Sequence, residues 1–194
     1  KLFMGLLIII SSPTGGGKDA IIARLLKIFP KAARLVTTTS RQPRPSDQEG
    51  VTYHFISPAE FETKIKADYF LEYNNMVGNY YGTPKKYLQK LLAENDLVFA
   101  NLDVNGKQSL DKLGIKHLSI FLLPESLEVL KQRVMKRGGM TNEMIEARLR
   151  LGAEEIEKSK DYDYRVTNYE GKLQETAEKI AEIIKDNPGL TKNK

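Results

Sequence analysis

The sequence of 194 residues contains no cysteine and no tryptophan, and it has only two histidines. The lack of cysteine excludes disulfide bonds, thiolate metal ligands and cysteine nucleophiles, and it fits a reducing cytoplasm. His54 and His117 are far apart in the sequence and predict no metal site. Because tryptophan is absent and no aromatic residues are interleaved with basic ones, we expect no binding to nucleic acid.

Long hydrophobic runs are also missing. The longest apolar run, Leu2 to Ile10, is too short to cross a bilayer. It follows Lys1 as the apolar part of a signal peptide would, but no small-residue cleavage site follows it. We therefore interpret this run as a buried strand, and we expect a cytoplasmic protein that does not bind membranes.

The overall composition is that of a folded enzyme. Hydrophobic residues make up 41% of the chain and charged residues 28%, which is too apolar for a disordered protein. A chain of this length buries roughly 70% of its unfolded surface and needs no covalent cross-links. The net charge of +5 favours an anionic partner, either nucleic acid, a membrane surface or a phosphorylated small molecule.

Strand and helix signals alternate along most of the chain, which predicts an α/β fold with a mainly parallel sheet. Strands are expected at 6–11, 35–39, 69–73, 80–82, 97–103, 118–123 and 164–167. Helices are expected at 18–29, 58–67, 84–94, 126–136, 141–160 and 173–185, the second of them after a capping box that starts at Ser57. Short β segments between residues 41 and 82 interrupt the alternation and indicate an inserted lobe.

A glycine-rich loop between the first strand and the first helix predicts a phosphate-binding site. The loop runs Ser12-Pro13-Thr14-Gly15-Gly16-Gly17-Lys18-Asp19. Glycines allow backbone N–H groups to surround phosphate oxygens, the helix N-terminus adds its positive dipole, and Lys18 reaches the terminal phosphates. The alternative is a simple glycine-rich turn that carries a surface lysine.

Two positions of this loop depart from the usual G-x-x-x-x-G-K-[ST] pattern. Ser12 replaces the first glycine, and Asp19 replaces the hydroxyl residue that normally binds Mg²⁺. A carboxylate is also a ligand for a hard cation. We therefore expect Asp19 to contribute to the Mg²⁺ site.

Six further motifs occur in order, and together they resemble guanylate kinases from Leu6 to about Ile184. They are Thr37-Thr38-Thr39-Ser40-Arg41-Gln42-Pro43-Arg44-Pro45, Gly50-Val51-Thr52-Tyr53-His54-Phe55, Phe70-Leu71-Glu72-Tyr73, Gly78-Asn79-Tyr80-Tyr81-Gly82-Thr83, Leu102-Asp103-Val104-Asn105-Gly106, and Arg133 to Gly138. The resemblance implies a three-layer P-loop kinase with a lobe for the nucleoside monophosphate and a short helical lid. It places the lobe at 35–87, the lid at 128–152, and the core at 1–34, 88–127 and 153–194.

The resemblance implies which residues recognise the acceptor nucleotide. Guanine presents two donors, N1–H and the N2 amine, beside the O6 acceptor, so its site needs carboxylates and hydroxyl groups. The implied residues for GMP are Thr37, Arg41, Arg44, Tyr53, Glu72, Tyr81, Thr83 and Asp103. Of these, the two acids accept from the base, the two threonines face O6, and the arginines and tyrosines hold the phosphate. From the residues alone, the acid at 72 would be a solvated strand residue, and the arginines and tyrosines would form a solvated basic loop with two core tyrosines.

The resemblance also implies the donor-nucleotide residues. ATP would bind at residues 13–19 and at Asn168, although Tyr169 stands where the family more often has an aspartate. Lys18 and the lid arginines Arg133, Arg137 and Arg148 would stabilise the transferred phosphoryl group. Apart from the resemblance, these arginines read as solvated helix faces that pair with Glu146 and Glu154.

The implied reaction is the Mg²⁺-dependent phosphorylation of GMP, and of dGMP, by ATP. One alternative is a guanylate-kinase-like binding module that has lost catalysis and recognises an acidic or phosphorylated peptide. Another is a kinase for a different monophosphate. The sequence does not indicate an oligomeric state.

A third departure from the family pattern concerns the acidic residues near Mg²⁺. The family commonly carries an acid two residues before the position of Asp103, where this chain has Asn101. We hypothesise that the acidic group near Mg²⁺ has moved to Asp19. Changing Asp19 to serine should then weaken the Mg²⁺ dependence of the rate, and adding Asn101→Asp should restore it. Initial rates against Mg²⁺ concentration for both single variants and the double variant test this, and effects that simply add would contradict the relocation.

Overall fold

The computed structural model describes residues 5–45, 47–76, 78–136 and 141–187. Their strands are β1 Leu6–Ser11, β2 Ala32–Leu35, β3 Thr38–Thr39, β4 His54–Phe55, β5 Phe70–Met76, β6 Asn79–Pro84, β7 Leu97–Asn101, β8 His117–Pro124 and β9 Tyr164–Asn168. Their helices are α1 Lys18–Ile28, α2 Pro58–Lys66, α3 Lys85–Glu94, α4 Val104–Lys112, α5 Leu127–Lys136, α6 Asn142–Lys158 and α7 Leu173–Lys185. A 3₁₀ turn at Ser159–Asp161 follows α6.

The strands form two sheets. One has five strands in the order β2-β7-β1-β8-β9, and the other has four in the order β4-β3-β6-β5. In the five-stranded sheet, β2 runs parallel to β7 and β8 runs parallel to β9. In the four-stranded sheet, β6 is antiparallel to both β3 and β5. The predicted α/β fold with a mainly parallel central sheet is confirmed.

The chain divides into two compact units, of which the first comprises residues 1–8 and 31–117. Its four-stranded sheet is covered by α2, which begins with the predicted capping box: the Ser57 hydroxyl accepts from the Glu60 N–H, and the Glu60 carboxylate accepts from the Ser57 N–H. On the buried side of α2, the Phe61 ring stacks on Phe70 and Tyr80 at 4.3 and 5.1 Å. Full burial of such a ring contributes about 1.5–3 kcal/mol, which fixes α2 on the sheet.

The second unit comprises residues 9–30 and 118–194. In this unit α1 packs against α7, and α5 packs against α6. Both α1 and α7 have an apolar face at helical spacing, with Ile21, Leu25, Ile180 and Ile184 fully buried. These contacts hold the N-terminus of α1, where the glycine-rich loop ends.

Two sequence-based assignments were wrong in detail. The expected strand at 35–39 is two strands, because β2 pairs with β7 in one sheet whereas β3 pairs with β4 and β6 in the other. The helix α4 was not predicted, since Asn105 and Gly106 are poor helix formers. The signal for α4 is its N-cap, where the Asp103 carboxylate accepts from the Gly106 N–H at 2.7 Å.

The longest described helix, α6, has 17 residues. Within the described ranges, no helix combines the length and the hydropathy that a membrane crossing requires.

Candidate functional site

A buried acid lies on β5 in the first unit. Glu72 is only 8% exposed, and its partner in the β5–β6 register is Thr83, which is fully buried. The Thr83 hydroxyl donates to Glu72 Oε1 at 2.6 Å. The structure therefore brings together two of the predicted base-binding residues, and Glu72 is not the solvated strand residue that the sequence alone suggests.

A second acid reaches the same place from α4. Asp103 lies at the N-cap of α4, whose third residue is Gly106. A methyl group at Gly106 would lie 3.5 Å from Asp103 Oδ1 and 3.6 Å from Glu72 Oε2. The two carboxyl groups therefore approach one small region from β5 and from α4, as a site for two adjacent donors requires.

Burial raises the pKa of Glu72 to about 7, because the charged form loses its hydration. The Thr83 hydroxyl opposes this by hydrogen bonding, and the neighbouring charge of Asp103 raises the pKa further. Near neutral pH, Glu72 is thus divided between a protonated and an ionised form. A ligand that donates hydrogen bonds to the carboxylate would favour the ionised form.

The predicted phosphate-binding residues cluster around Arg41 in the same unit. Its guanidinium group lies 5.5 Å from the centre of the Tyr53 ring, and the Tyr53 and Tyr81 rings meet edge to face at 5.9 Å. Arg41 Nη2 also contacts Asp47 Oδ2 at 2.9 Å, and the Arg44 backbone N–H donates to the same oxygen at 2.7 Å. Asp47 therefore provides the negative charge that this cluster binds in the structure.

Thr37 lies directly before β3 and is 5% exposed. Its carbonyl oxygen accepts from the His54 N–H at 2.8 Å, which attaches β4 to this segment. Thr37 is thus a buried residue beside the four-stranded sheet, and its expected role at O6 of the base stays a prediction.

The glycine-rich loop lies in the second unit and is folded tightly. The Gly16 N–H donates to the carbonyl oxygen of Pro13 at 2.9 Å, and Lys18 Nζ donates to the carbonyl oxygen of Ser12 at 3.1 Å. Gly17, at φ +90°, is the N-cap of α1, a conformation that a residue with a side chain rarely adopts. Lys18 is therefore positioned at the start of α1 by the loop itself.

Three of the predicted donor-nucleotide residues contact or lie beside this loop. Arg148 Nη1 donates to the Thr14 hydroxyl at 3.3 Å, and Asn168 Nδ2 donates to the carbonyl oxygen of Gly16 at 3.0 Å. Arg133 Nη2 donates to the carbonyl oxygen of Asn168 at 3.2 Å. Arg137 lies outside the described residues. Apart from Arg137, the predicted lid arginines thus converge on the loop.

The structure shows how the loop accommodates Ser12. Among the described residues, Asp68 is the one non-glycine residue with a positive φ, so Ser12 needs no left-handed backbone. Its side chain is 2% exposed and occupies the space beside Gly16, where a methyl group would overlap Ser12 Oγ and Cβ. Ser12 and Gly16 therefore form a complementary pair. Asp19 is half-buried in the first turn of α1.

Three polar residues of these clusters were missed by sequence reasoning. They are Asp47 beside Arg41, Asn74 beside Asp103, and Glu170, which pairs with Arg133 Nη2 at 2.7 Å. The available signal for Asn74 was its period-two spacing from Glu72, which places both on one face of β5. The other two are acids in loops, and nothing in their local sequence predicts their partners.

Comparison with known proteins settles the family of this chain. The family model described as guanylate kinase matches residues 4–187. The chain belongs to the guanylate kinase family. The guanylate kinase of Rickettsia bellii is 39% identical over 180 residues, which cover 93% of each chain. That of Clostridium perfringens is 38% identical over 93% of this chain and 82% of the relative.

A solved structure supports the same assignment. The crystal structure of guanylate kinase from Anaplasma phagocytophilum matches with a TM-score of 0.77 and 26% identity, over 95% of this chain and 88% of that one. The fold of a guanylate kinase thus extends over nearly the whole chain. The clusters at Glu72 and at Lys18 lie within the residues that the guanylate kinase family model matches.

The packing of Ser12 on Gly16 predicts a compensated pair of substitutions. Gly16→Ala should lower stability by about 1–3 kcal/mol through overpacking, because its methyl group would overlap the Ser12 side chain. Adding Ser12→Gly should remove most of this loss, whereas Ser12→Gly alone should cost little. Urea unfolding of the three variants measures the coupling, and a double variant no more stable than Gly16→Ala would refute this packing.

The buried carboxyl group of Glu72 predicts a pH-dependent effect on stability. In an exposed chain it would ionise near 4.5, but in the folded protein the pKa is about 7. The wild-type protein therefore loses stability as pH rises from 4.5 to 7, whereas a variant without this acid does not lose this contribution. The free energy of unfolding of Glu72→Gln, measured relative to that of the wild type, should therefore rise by about 3 kcal/mol from pH 4.5 to pH 7.

Urea unfolding of both proteins at about pH 5 and pH 8 measures this change. Glu94→Gln, an exposed acid of α3, is the matched control and should show no such gain. A stability difference between Glu72→Gln and wild type that is the same at both pH values would show that Glu72 ionises normally.

Proposed function

We propose that this chain transfers the γ-phosphoryl group of ATP to GMP, giving ADP and GDP, and that it also accepts dGMP. The activity belongs to purine nucleotide metabolism, and we place it in the cytoplasm, as the cysteine-free composition favours. Membership of the guanylate kinase family supports the reaction class. The observation that carries the choice of base is the buried Glu72 carboxyl group, bonded to Thr83 and close to Asp103.

The chemistry of this pair fits guanine. Its N1–H and N2 amine donate to Glu72 and Asp103, which as carboxylates only accept. When the guanine donors hydrogen-bond to the Glu72 oxygens, the Thr83 hydroxyl group is free to donate to O6 instead. Thr37 provides the second hydroxyl group at O6. Adenine has an acceptor at N1 and an amine at position 6, so it would leave a buried carboxylate without a donor.

The phosphate of the acceptor binds to the cluster around Arg41. The guanidinium group offers a forked set of donors, and Tyr53 and Tyr81 add two phenolic O–H groups. Arg44 adds a second positive charge. An incoming phosphate replaces Asp47 as the anion that faces Arg41, so the cluster is already shaped for a negative group.

The donor phosphates bind to residues 13–19. Backbone N–H groups of the glycines and the N-terminus of α1 face the phosphate oxygens, and Lys18 neutralises their charge. Arg133, Arg137 and Arg148 of the lid (128–152) neutralise the charge that spreads onto the transferred group, and Asn168 lies at the adenine side. No protein nucleophile is required, because positioning and electrostatic stabilisation are sufficient for this in-line transfer.

The residues present fit a Mg²⁺ ion that would be bound together with ATP. Mg²⁺ binds through one or two carboxylates together with substrate phosphates and water, so it needs no cage of protein ligands. Among the described residues, no group of three or more His, Cys, Asp or Glu side chains could hold a metal ion. Asp19 provides an oxygen ligand in the first turn of α1, next to Lys18. When bound, the ion neutralises the phosphates of ATP.

The division of the chain follows from these roles. We propose that residues 35–87 form the acceptor lobe and that residues 1–34, 88–127 and 153–194 form the core. The four-stranded sheet of β3 to β6 falls within the proposed lobe. Glu72 and Arg41 both lie there, which supports a single lobe for the base and its phosphate.

The reaction is tested by ADP formation from ATP and Mg²⁺ with GMP, dGMP, AMP, CMP or UMP as acceptor. We expect turnover with GMP far above the other bases. Lys18→Ala should lower kcat at least about a hundredfold, because a charge that stabilises the transferred group is lost. Lys27→Ala, an exposed lysine of the same helix, is the matched control and should retain activity.

Two outcomes would contradict the proposal. Equal turnover of all monophosphates would mean that Glu72 and Asp103 do not select guanine. GMP binding without turnover would instead indicate a binding module that has lost catalysis. In that case weaker binding by Glu72→Gln would show that the base pocket remains.

A further inference from the structure

An asparagine that no prediction included lies beside the two acids. Asn74 is on β5, two residues after Glu72 and therefore on the same face of the strand. Its side-chain Nδ2 donates to both oxygens of Asp103, at 3.1 Å each. Asp103 Oδ1 accepts in addition from the Gly106 N–H at the start of α4. The Asp103 carboxylate is thus held from the strand and from the helix.

The orientation of the Asn74 amide follows from the charge of its partner. If the amide were turned round, its oxygen would face a carboxylate, and two acceptors would repel each other. Nδ2 must therefore face Asp103, which leaves Oδ1 on the other side. Oδ1 is buried and accepts no hydrogen bond from any described residue.

An acceptor that is buried without a donor destabilises a folded protein. Alanine at position 74 would avoid this cost, because it has no polar atom to bury. The cost is offset at Asp103, whose carboxylate accepts two hydrogen bonds from Asn74 beside the buried acid Glu72. On α4, the buried Lys107 contacts Asp111 through its Nζ at 2.8 Å.

We propose that Asn74 is a positioning residue for recognition of the base: its amide holds the Asp103 carboxylate oriented towards the donors of guanine. The inference rests on the proposed function. It adds a residue that does not itself touch the nucleotide, and it predicts that substitution of Asn74 weakens GMP binding more than it weakens the fold.

The test measures GMP binding without ATP, by calorimetry, for Asn74→Ala and for the control Asn75→Ala. Asn75 is the next residue on β5 and is exposed, so the control makes the same change on the other face. Loss of hydrogen bonds to a charged group should weaken GMP binding by Asn74→Ala about tenfold or more. The midpoint of unfolding should change little, because removal of the unpaired oxygen offsets the lost hydrogen bonds to Asp103.

Asn74→Asp gives a second readout that a purely structural role would not produce. An aspartate is the same size as asparagine, but it can donate to Asp103 only while it is protonated. The adjacent Asp103 charge raises the pKa of the new acid, so the GMP affinity of this variant should fall as pH rises from about 5 to about 8. The wild type should show the opposite trend, because Glu72 becomes a better acceptor as it ionises.

The outcomes separate this inference from the proposed function. If the wild type binds GMP and Asn74→Ala binds it as tightly as Asn75→Ala does, the role of Asn74 is overturned. The proposed function is then unaffected. An Asn74→Asp variant that follows the wild-type pH trend would overturn the same role. Absence of GMP binding by the wild-type protein would overturn both proposals.

Discussion

The burial of one carboxyl group sets the conditions for the rest of the acceptor site. Glu72 has lost most of its contact with water and receives hydrogen bonds from Thr83, with the charge of Asp103 nearby. A carboxylate in such a place is stable only if further donors reach it. Guanine carries two adjacent donors, so under the proposed function the arrangement that is costly in the free protein becomes favourable when this base binds. Specificity would then derive from a group that the fold alone leaves incompletely paired.

In the second unit, close packing limits the size of the side chains around the glycine-rich loop. Around the glycine-rich loop, a methyl group at Gly17 would lie 2.8 Å from Asn168 Nδ2, and one at Gly152 would lie 3.3 Å from Pro13. The absence of side chains thus lets α6 and β9 approach the loop closely, and the loop backbone is fixed in place. A preformed loop does not have to be ordered when phosphates bind, which lowers the free-energy cost of binding.

Sequence patterns predicted the parts of this protein that depend on local rules. The buried strand before the loop, the capping box at Ser57 and the apolar faces of α1 and α7 follow from the spacing of residues along the chain. The division of 32–39 into two strands could not be predicted, because it depends on which sheet each part joins. The contacts of Asn74 and Asp47 were equally hidden, since they depend on the pairing of β5 with its neighbours and on the fold of a loop. The acids at 72 and 103 were found through the family resemblance and not through their local pattern.

The central claim is that Glu72 is a buried acid whose proton is displaced by guanine. The most direct test is an NMR titration of ¹³C-labelled glutamate carboxyl groups, with Glu72 assigned by its loss in Glu72→Gln. We expect a pKa of about 7 in the free protein and a clear decrease when GMP is bound, because its donors stabilise the carboxylate. A normal pKa in the free protein, or one that GMP does not lower, would contradict the account.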